Sequence, residues 1–177
     1  MLSKKYPSAL LKDFLKNAIG SSKRVLDLGC GDGVIAFYLA SRLKAHVDGV
    51  DMDKGKVHRA NQKFDKNKVR KLVSCHICDA TKTNKIFKKN TFDAVVIIHT
   101  FHHLTNIGGV LLKTRYVLKS KGKIFVVEYQ KDYGEKIDNC PRFSNKKIKT
   151  MLKTAGFKKI KEHNLNNKLV IIRALKN

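Results

Sequence analysis

Three glycines at alternate positions follow a short apolar run near the start of the chain, and they constrain its fold more than any other feature. Residues 24–28 have the composition of a buried strand, and Gly29, Gly31 and Gly33 lead directly into a helical segment over residues 33–43. Glycine adopts positive φ angles easily, and without a Cβ atom it lets the backbone approach a ligand. The first N–H groups of a helix have no partner within the helix. The segment is therefore predicted to be a strand, a tight ligand-binding turn and a helix.

The spacing of these glycines distinguishes between two kinds of ligand. Dinucleotide-binding folds use the pattern G-x-G-x-x-G and place a pyrophosphate against the helix N-terminus. This chain has G-x-G-x-G instead, with Asp27 at the end of the strand and Asp32 inside the turn. Two carboxylates would repel a pyrophosphate, but they suit a ligand whose nearby end is positive, such as the ammonium and sulfonium of S-adenosylmethionine. For this segment alone, a glycine-rich turn without a ligand is the alternative.

Further acids follow the next predicted strands. Asp51 ends a strand over residues 46–51, at an offset of about 20 residues from the glycines, where an acidic side chain meets ribose hydroxyls in nucleotide-binding βαβ units. A third strand over residues 72–78 leads into Asp79, whose carboxylate is placed to accept from an adenine amino group. These strand ends are expected to direct their acids into one crevice.

With these motifs the chain resembles the class I S-adenosylmethionine-dependent methyltransferases, in the small-domain group called methyltransferase type 11. The matching segments occur in the family's order and cover nearly the whole chain: residues 25–33, 49–53, 78–80, 92–104, 115–122 and 151–157. The resemblance implies an α/β fold with a doubly wound, seven-stranded, mostly parallel sheet. Its last strand would be antiparallel and would lie between the fifth and the sixth.

The resemblance also implies which residues bind the methionine and ribose parts of S-adenosylmethionine. Gly29 and Gly31 would line the methionine part, and Asp27 would lie near its amino group. Asp51 would bind the ribose hydroxyls. Cys30, between the two glycines, belongs to the same candidate cofactor site.

The adenine would be bound by residues that follow the second and third strands. Met52 would pack on the ring, while Asp79 and the amide of Ala80 would recognise its edge. Ile97, near the end of the fourth strand, completes the candidate cofactor-binding residues.

Apolar runs alternate with helical segments along the rest of the chain. The predicted strands are 24–28, 46–51, 72–78, 93–98, 122–128, 157–162 and 168–174, and the predicted helices are 7–19, 33–43, 54–65, 82–88, 107–118 and 145–155. Such alternation predicts a parallel sheet with helices on both faces, and the short connection before the last strand requires an antiparallel pair. Residues 1–177 are expected to form one methyltransferase domain, in which residues 1–20 provide a leading helix packed on the core.

Candidates for catalysis follow the fourth and fifth strands, because ligands of doubly wound sheets lie beyond the carboxyl ends of the strands. His99 and His102 offer imidazoles that can accept a proton near neutral pH, whereas His103 is expected to pack locally. Glu128 lies at the rim of the same crevice and could orient a substrate amine or hydroxyl. A base is optional, because the sulfonium methyl is already activated and orientation supplies much of the acceleration.

Two sequence features limit the chemistry further. Residues 98–101 lack the Pro-Pro-aromatic pattern of enzymes that methylate adenine N6 or glutamine amides, which argues against those substrates. The connection over residues 129–144, which includes Cys140, often covers the substrate in relatives.

The cysteines do not predict a metal site. Cys75 and Cys78 form a C-x-x-C, but residues three apart on a strand project to opposite faces. The second such pair that a zinc site would use is also missing. The two thiols are therefore expected to be small structural side chains.

The net charge predicts an anionic partner. Lys and Arg number 38 against 14 Asp and Glu, a formal net charge of +24. Lysine predominates among the cations, and lysines attract phosphate without reading its geometry, so RNA or another polyanion is the expected partner. The alternative is a compositional bias that has no function, because net charge affects solubility and non-specific association before it indicates a specific partner.

The main expectation is thus a methyltransferase, acting on RNA or on a ribonucleoprotein with S-adenosylmethionine as the cofactor. One alternative is a small-molecule methyltransferase of the type 11 kind. Another is a non-catalytic cofactor- or RNA-binding protein, or one subunit of a heteromeric enzyme, although the intact glycines and acids argue against loss of the cofactor. The chain has no apolar run of the roughly 20 residues that span a bilayer and no secretory h-region, so a cytoplasmic location without membrane association is expected. The sequence does not indicate an oligomeric state.

Overall fold

The computed structural model describes residues 8–67, 69–133, 140 and 142–177. Its helices and strands alternate along most of the chain, as the sequence predicts. The helices are α1 (Ala9–Ile19), α2 (Val34–Leu43), α3 (Lys54–Lys66), α4 (Thr83–Ile86), α5 (Ile107–Val117) and α6 (Asn145–Thr154). The strands are β1 (Arg24–Leu28), β2 (His46–Asp51), β3 (Val73–Ile77), β4 (Phe92–Ile98), β5 (Leu118–Tyr129), β6 (Phe157–Asn164) and β7 (Leu169–Lys176). Short 3₁₀ helices, Ala80–Lys82 and Phe101–His103, follow β3 and β4 respectively.

The strands form one seven-stranded sheet in the order β3-β2-β1-β4-β5-β7-β6. Strands β1 to β5 pair in parallel, while β7 is antiparallel to both β5 and β6. This topology confirms the predicted doubly wound fold, including the antiparallel last strand between the fifth and sixth. The direction of winding reverses between β1 and β4, and a crevice at the carboxyl ends of these two strands is where such sheets bind ligands.

The core consists of two apolar layers, one on each face of the sheet. Val25 contributes to the layer beneath α1, α2 and α3, and the next residue, Leu26, contributes to the opposite layer beneath α5 and α6. Successive side chains of a strand point to opposite faces, so both faces of a central parallel strand must be apolar. The leading helix α1 packs on the first layer through Leu11, Leu15 and Ile19, as expected.

Local sequence signals determine where two of the helices begin. The side chain of Ser8 accepts a hydrogen bond from the N–H of Leu11 at 3.2 Å, and Ser144 accepts one from Lys147 at 3.3 Å. These N-caps satisfy donors that the first turn leaves unpaired. The predicted first helix included Pro7, which lies outside the described residues.

The structure differs from the predicted elements mainly in their bounds. Strand β5 begins at Leu118 and not at residue 122, because Leu118 pairs with Phe92 before the register shifts and Lys123 pairs with Ala94. The helix predicted over 82–88 is only a 3₁₀ turn and the single turn of α4. It ends because Phe87 adopts an extended conformation, buries its ring and packs edge-on against Phe92, with centroids 4.9 Å apart.

Within the described part of the chain, every helix is too short or too polar to cross a lipid bilayer.

Candidate active site

The glycine turn after β1 is held by hydrogen bonds to β2 and by close packing. The N–H groups of Gly29 and Cys30 donate to the carbonyl of Val50 at 2.8 and 3.0 Å. Gly29 has a φ of 80°, and a Cβ atom there would lie 2.2 Å from Cγ2 of Thr100. Gly31 differs, because a Cβ atom on it would meet nothing closer than 3.9 Å. The turn therefore packs tightly at Gly29, whereas at Gly31 a side-chain atom would make only an ordinary van der Waals contact with Lys56.

The carboxylate of Asp51 is oriented by two backbone donors at the mouth of this turn. Its Oδ2 accepts from the N–H of Gly31 at 2.8 Å, and its Oδ1 accepts from the N–H of Asp53 at 2.9 Å. A carboxylate oxygen has more than one lone pair, so both oxygens retain acceptor capacity. The predicted contact of Asp51 with the two hydroxyls of a ribose would use these remaining lone pairs.

Asp27 lies beneath the turn, with only 2% of the residue exposed. The pKa of its carboxyl group is raised from 3.8 to about 7. Burial raises it most, a hydrogen bond from the N–H of Ala36 lowers it, and the negative charge of Asp51 adds a smaller increase. Its Oδ2 has no hydrogen-bond partner among the described residues. A cationic ligand group at this place would favour the ionised carboxylate, which suits the predicted contact with an amino group.

The residues predicted to bind adenine lie at the ends of β2 and β3. Met52 is 70% exposed, which leaves its apolar side chain accessible to a planar ring. Asp79 accepts from the N–H and the hydroxyl of Thr81, both at 2.8 Å, and these bonds lower the pKa of its carboxyl group. Ala80 begins the 3₁₀ helix that follows.

Two of the predicted cofactor-binding residues point their side chains into the core. Sγ of Cys30 lies 3.3 Å from Sγ of Cys75, and this contact, together with burial, raises the pKa of the Cys30 thiol. Cys30 can therefore reach a ligand in the crevice only through its backbone. Ile97 is fully buried among the apolar side chains of the α5 and α6 layer, so it supports the crevice from below.

His102, in the 3₁₀ helix after β4, and Glu128, near the end of β5, form a buried pair. Nδ1 of His102 lies 3.0 Å from both carboxylate oxygens of Glu128, and the two side chains are 2% and 4% exposed. Nε of Arg142 lies 3.7 Å from Oε2 of Glu128. Glu128 was expected at the rim of the crevice, and the structure shows that its side chain is buried. Since Nδ1–H is the donor to a carboxylate, Nε2 is left as an acceptor, and it has no hydrogen-bond partner among the described residues.

His99 occupies a strained position at the junction of β4 and β5. Its φ is 51°, a left-handed conformation that is uncommon for residues other than glycine. Its N–H donates to the carbonyl of Val127 at 2.9 Å, and its ring stacks on Tyr129 with centroids 4.3 Å apart. His99 and His102 both follow β4 and both contact residues at the end of β5.

The structure adds residues to the site that the local sequence patterns did not indicate. Thr100 contacts the glycine turn, with its hydroxyl 3.3 Å from the carbonyl of Gly29. Arg142 supports Glu128, and Sγ of Cys140 lies 3.8 Å from Nδ1 of His103. These contacts join positions that are far apart in the chain, so no spacing rule could have found them. Part of the connection predicted to cover the substrate, residues 134–139 and 141, lies outside the described residues.

The C-x-x-C cysteines lie on opposite faces, as predicted. Cys75 belongs to the layer beneath α1, α2 and α3, whereas Cys78 packs against the α5 and α6 layer.

Comparison with known proteins agrees with this geometry. A family model described as a methyltransferase domain matches residues 19–170. Phosphoethanolamine N-methyltransferase 1 of Triticum aestivum is 27% identical over 156 residues, which are 82% of this chain and 30% of the wheat protein. The chain spans only about a third of the length of the curated relatives that it matches.

Solved structures share the fold at low sequence identity. A S-adenosylmethionine-dependent methyltransferase of Aquifex aeolicus superimposes with a TM-score of 0.82 at 22% identity, covering 94% of this chain and 89% of that one. Phosphoethanolamine N-methyltransferase 2 of Haemonchus contortus, solved in complex with S-adenosylmethionine, gives a TM-score of 0.81 at 18% identity. That match covers 96% of this chain and 53% of the other. With the family model matching most of its length, the chain belongs to the methyltransferase-domain family, among the class I S-adenosylmethionine-dependent methyltransferases.

Proposed function

We propose that this protein transfers the methyl group of S-adenosylmethionine to a nucleophilic atom of a small molecule. The observation that carries the proposal is the carboxylate of Asp51, oriented by the N–H groups of Gly31 and Asp53 beside the glycine turn. In this position it would accept hydrogen bonds from both ribose hydroxyls. Asp27 would face the ammonium of the methionine part, and Met52, Asp79 and Ala80 would enclose the adenine.

The choice of a small molecule over RNA rests on the relatives. The wheat and Haemonchus proteins are both named for phosphoethanolamine, which is a small molecule. An RNA substrate is the second candidate, because the net charge of +24 is also compatible with a polyanion. A positive field also attracts small phosphorylated or acidic molecules, so the charge does not select between these two classes.

In the proposed reaction, the nucleophile attacks the methyl carbon in line with its bond to sulfur. A new bond forms to carbon, the carbon–sulfur bond breaks, and its electron pair neutralises the sulfonium to give S-adenosylhomocysteine. Most of the acceleration would come from holding the nucleophile and the methyl group in this geometry.

The buried pair of His102 and Glu128 would accept the proton that the nucleophile loses. Nε2 of His102 is the acceptor, while Glu128 holds the tautomer through Nδ1 and stabilises the imidazolium that forms. Glu128 is then a positioning residue. His99, stacked on Tyr129, is the second candidate for contact with the substrate on this side of the crevice.

Methyl-labelled S-adenosylmethionine, incubated with the protein and a fractionated cell extract, tests the substrate class. We expect the label to enter the small-molecule fraction and to leave RNA and protein unlabelled. Label appearing in RNA would reject the small-molecule proposal in favour of the second candidate.

The cofactor site has its own test in two matched substitutions on β2. Asp51→Asn should weaken binding of S-adenosylmethionine about 10- to 100-fold in calorimetry, because hydrogen bonds to a charged acceptor contribute roughly 1.5–3 kcal/mol. Asp48→Asn is the control, because Asp48 pairs with Arg24 and His76 away from the crevice. Equal affinities for the two variants would contradict the proposed ribose contact.

A further inference from the structure

Three potential metal ligands lie close together, and one of them is His102 of the buried pair. A nitrogen atom from each of His102 and His103 and the sulfur atom of Cys140 lie within 4.8 Å of one another. The two imidazole centroids are 3.9 Å apart, and Nδ1 of His103 is 3.8 Å from Sγ of Cys140. The sequence did not predict this cluster, since Cys140 follows His103 by 37 positions and belongs to no metal-binding motif.

We propose that His102, His103 and Cys140 bind a zinc ion. In a tetrahedral site, with Zn–N of about 2.0 Å and Zn–S of about 2.3 Å, the ligand atoms lie about 3.5 Å apart. The contact between His103 and Cys140 is already close to this value, and the widest separation in the cluster would have to shorten by about 1 Å, a movement that side-chain rotation supplies.

The surroundings of His102 independently indicate a metal ligand. Histidines that bind metals almost always donate their second ring N–H to a carboxylate or carbonyl, which sets the tautomer and the ring orientation. Glu128 occupies that place at Nδ1, and the His102 side chain is 2% exposed. The remaining nitrogen, Nε2, is buried and has no hydrogen-bond partner in the described part of the chain. With Nδ1 held by Glu128, a metal ion would be the missing partner of Nε2.

The donor set favours zinc over magnesium or calcium. Two imidazoles and a thiolate suit a borderline-soft ion, whereas hard cations select oxygen ligands. The thiolate of Cys140 would neutralise part of the ionic charge. The guanidinium of Arg142 is balanced by Glu128, with Nε 3.7 Å from Oε2, so it does not oppose the ion as an isolated charge. Three protein ligands leave one position open, which is the pattern of catalytic zinc sites.

The open position gives the ion a role that rests on the proposed methyl transfer. His102 follows Thr100, which contacts Gly29 of the cofactor turn, so the ion would lie on the side of the crevice where the methyl group is delivered. A substrate hydroxyl or thiol bound to zinc loses its proton more readily. The proton passes to solvent, the zinc-bound oxygen or sulfur forms the new bond to carbon, and the sulfonium leaves as a thioether. Zinc would then replace His102 as the group that activates the nucleophile.

Cobalt spectroscopy tests the site without depending on activity. Tag-free protein is treated with a chelator, dialysed and titrated with Co²⁺, which reports tetrahedral geometry by its visible bands and a thiolate ligand by a near-ultraviolet charge-transfer band. We expect both signals at one equivalent, their displacement by Zn²⁺, and one zinc per chain in elemental analysis. Absence of the charge-transfer band would overturn the proposal.

Matched variants assign the ligands. Cys140→Ser should abolish the charge-transfer band, whereas Cys78→Ser, at a partly buried cysteine outside the cluster, should leave it intact. Glu128→Gln should weaken zinc binding about 10- to 100-fold with unchanged stoichiometry, as for other carboxylate partners of metal-bound histidines. A band that survives Cys140→Ser would also overturn the assignment.

Calorimetry with S-adenosylmethionine on the metal-free protein and on each variant separates the two proposals. Cofactor binding without cobalt signals would reject the zinc site alone. Cobalt signals without methyl transfer to any fraction of the extract would reject the proposed function and leave the metal site in place.

Discussion

At the scale of single residues, Asp27 combines a buried carboxyl group with a proposed contact to the ammonium of the cofactor. Its carboxyl group is buried beneath the glycine turn, where burial and the nearby Asp51 raise its pKa to about 7. Between about pH 4 and about pH 7, Asp27 is therefore protonated in the folded, cofactor-free protein and ionised in the unfolded chain. Such a group lowers stability in exchange for a binding site, a trade-off that is common where function requires buried polar groups.

Asp27→Asn should stabilise the cofactor-free protein at pH 8. The folded-state pKa is raised, so stability decreases as pH rises from about 4 to about 7, and the asparagine variant avoids this loss. Three pKa units at about 1.4 kcal/mol each set an upper limit of about 4 kcal/mol for the gain. Denaturant unfolding at several pH values should show the difference narrowing as the pH falls from 8 to 5. A variant that is less stable than the wild type at pH 8 would contradict the burial argument.

The same substitution, Asp27→Asn, should weaken the binding of S-adenosylmethionine. If the ammonium of S-adenosylmethionine faces Asp27, binding releases the proton from this residue below pH 7, and affinity rises as the pH approaches 7. Calorimetry in buffers of different ionisation enthalpy should detect the proton release in the wild type. Asp27→Asn should remove it, and an unchanged release would assign the proton to another group.

At the scale of secondary-structure elements, the glycine turn depends on how β2 and β3 pack beneath it. A Cβ atom on Gly49, in the middle of β2, would lie 2.5 Å from Sγ of Cys75 and 2.8 Å from Sγ of Cys30. The absence of a side chain at Gly49 therefore makes room for the two thiols. These thiols in turn connect the turn after β1 to β3.

Gly49→Ala should destabilise the protein by about 1–3 kcal/mol, the usual cost of overpacking a well-filled core. Adding Cys75→Ala removes the closer of the two sulfur atoms, so the double variant should be more stable than the sum of the single effects. Gly108→Ala is a suitable control, because a Cβ atom there meets nothing within 4 Å and alanine in α5 should stabilise by about 0.5–1 kcal/mol. Additive effects at Gly49 and Cys75 would show that the clash is relieved elsewhere.

The buried pair connects β5 to the 3₁₀ helix after β4, and its loss should separate turnover from cofactor binding. Glu128→Gln should lower the turnover of an identified substrate about 100-fold, because the imidazole loses the carboxylate that orients it and balances its charge. Affinity for S-adenosylmethionine should stay within about twofold, which also verifies folding. Glu162→Gln, at a glutamate paired with Lys149 away from the crevice, is the control. A parallel loss of turnover and cofactor affinity would make the pair structural.

At the scale of the whole molecule, a net charge of +24 means that the positive side chains repel one another, although the crevice itself is locally acidic. The exposed ion pairs, such as Arg59 with Asp32, hold side chains that are 59% and 29% exposed and contribute little to stability. The repulsion among lysines is therefore expected to dominate the response of the fold to salt.

Raising the sodium chloride concentration from about 20 to about 300 mM should increase the melting temperature. Salt shortens the screening length and weakens repulsion more than it weakens the few exposed ion pairs. A gain of about 1 kcal/mol corresponds to roughly 2–4 °C for a chain of this size. A melting temperature that falls with salt would show that specific ion pairs outweigh the repulsion.

Several features were predictable because each depends on neighbouring residues in the sequence. The glycine turn, the alternation of strands and helices and the N-cap at Ser144 all follow from short-range patterns, and the topology and the family are confirmed. The acids at strand ends could be grouped into one crevice because parallel strands end at the same edge of a sheet. The bounds of β5 were less predictable, because its first residue pairs with β4 in one register and the rest of the strand pairs with β4 in another.

The substrate class was the least secure inference from the sequence. Net charge describes the average field of the molecule, which attracts RNA and small anions alike, and the relatives favour small molecules. The charge therefore could not identify the substrate.

By itself, the sequence determined the fold, the glycine turn after β1 and the acids at the strand ends, because local periodicity and glycine conformations specify these features. Only the tertiary structure brought Glu128 against His102, set Arg142 beside that carboxylate, and placed Cys140 next to the histidines. Such contacts depend on side chains that chain folding brings together from distant positions, and no local pattern of residues encodes them.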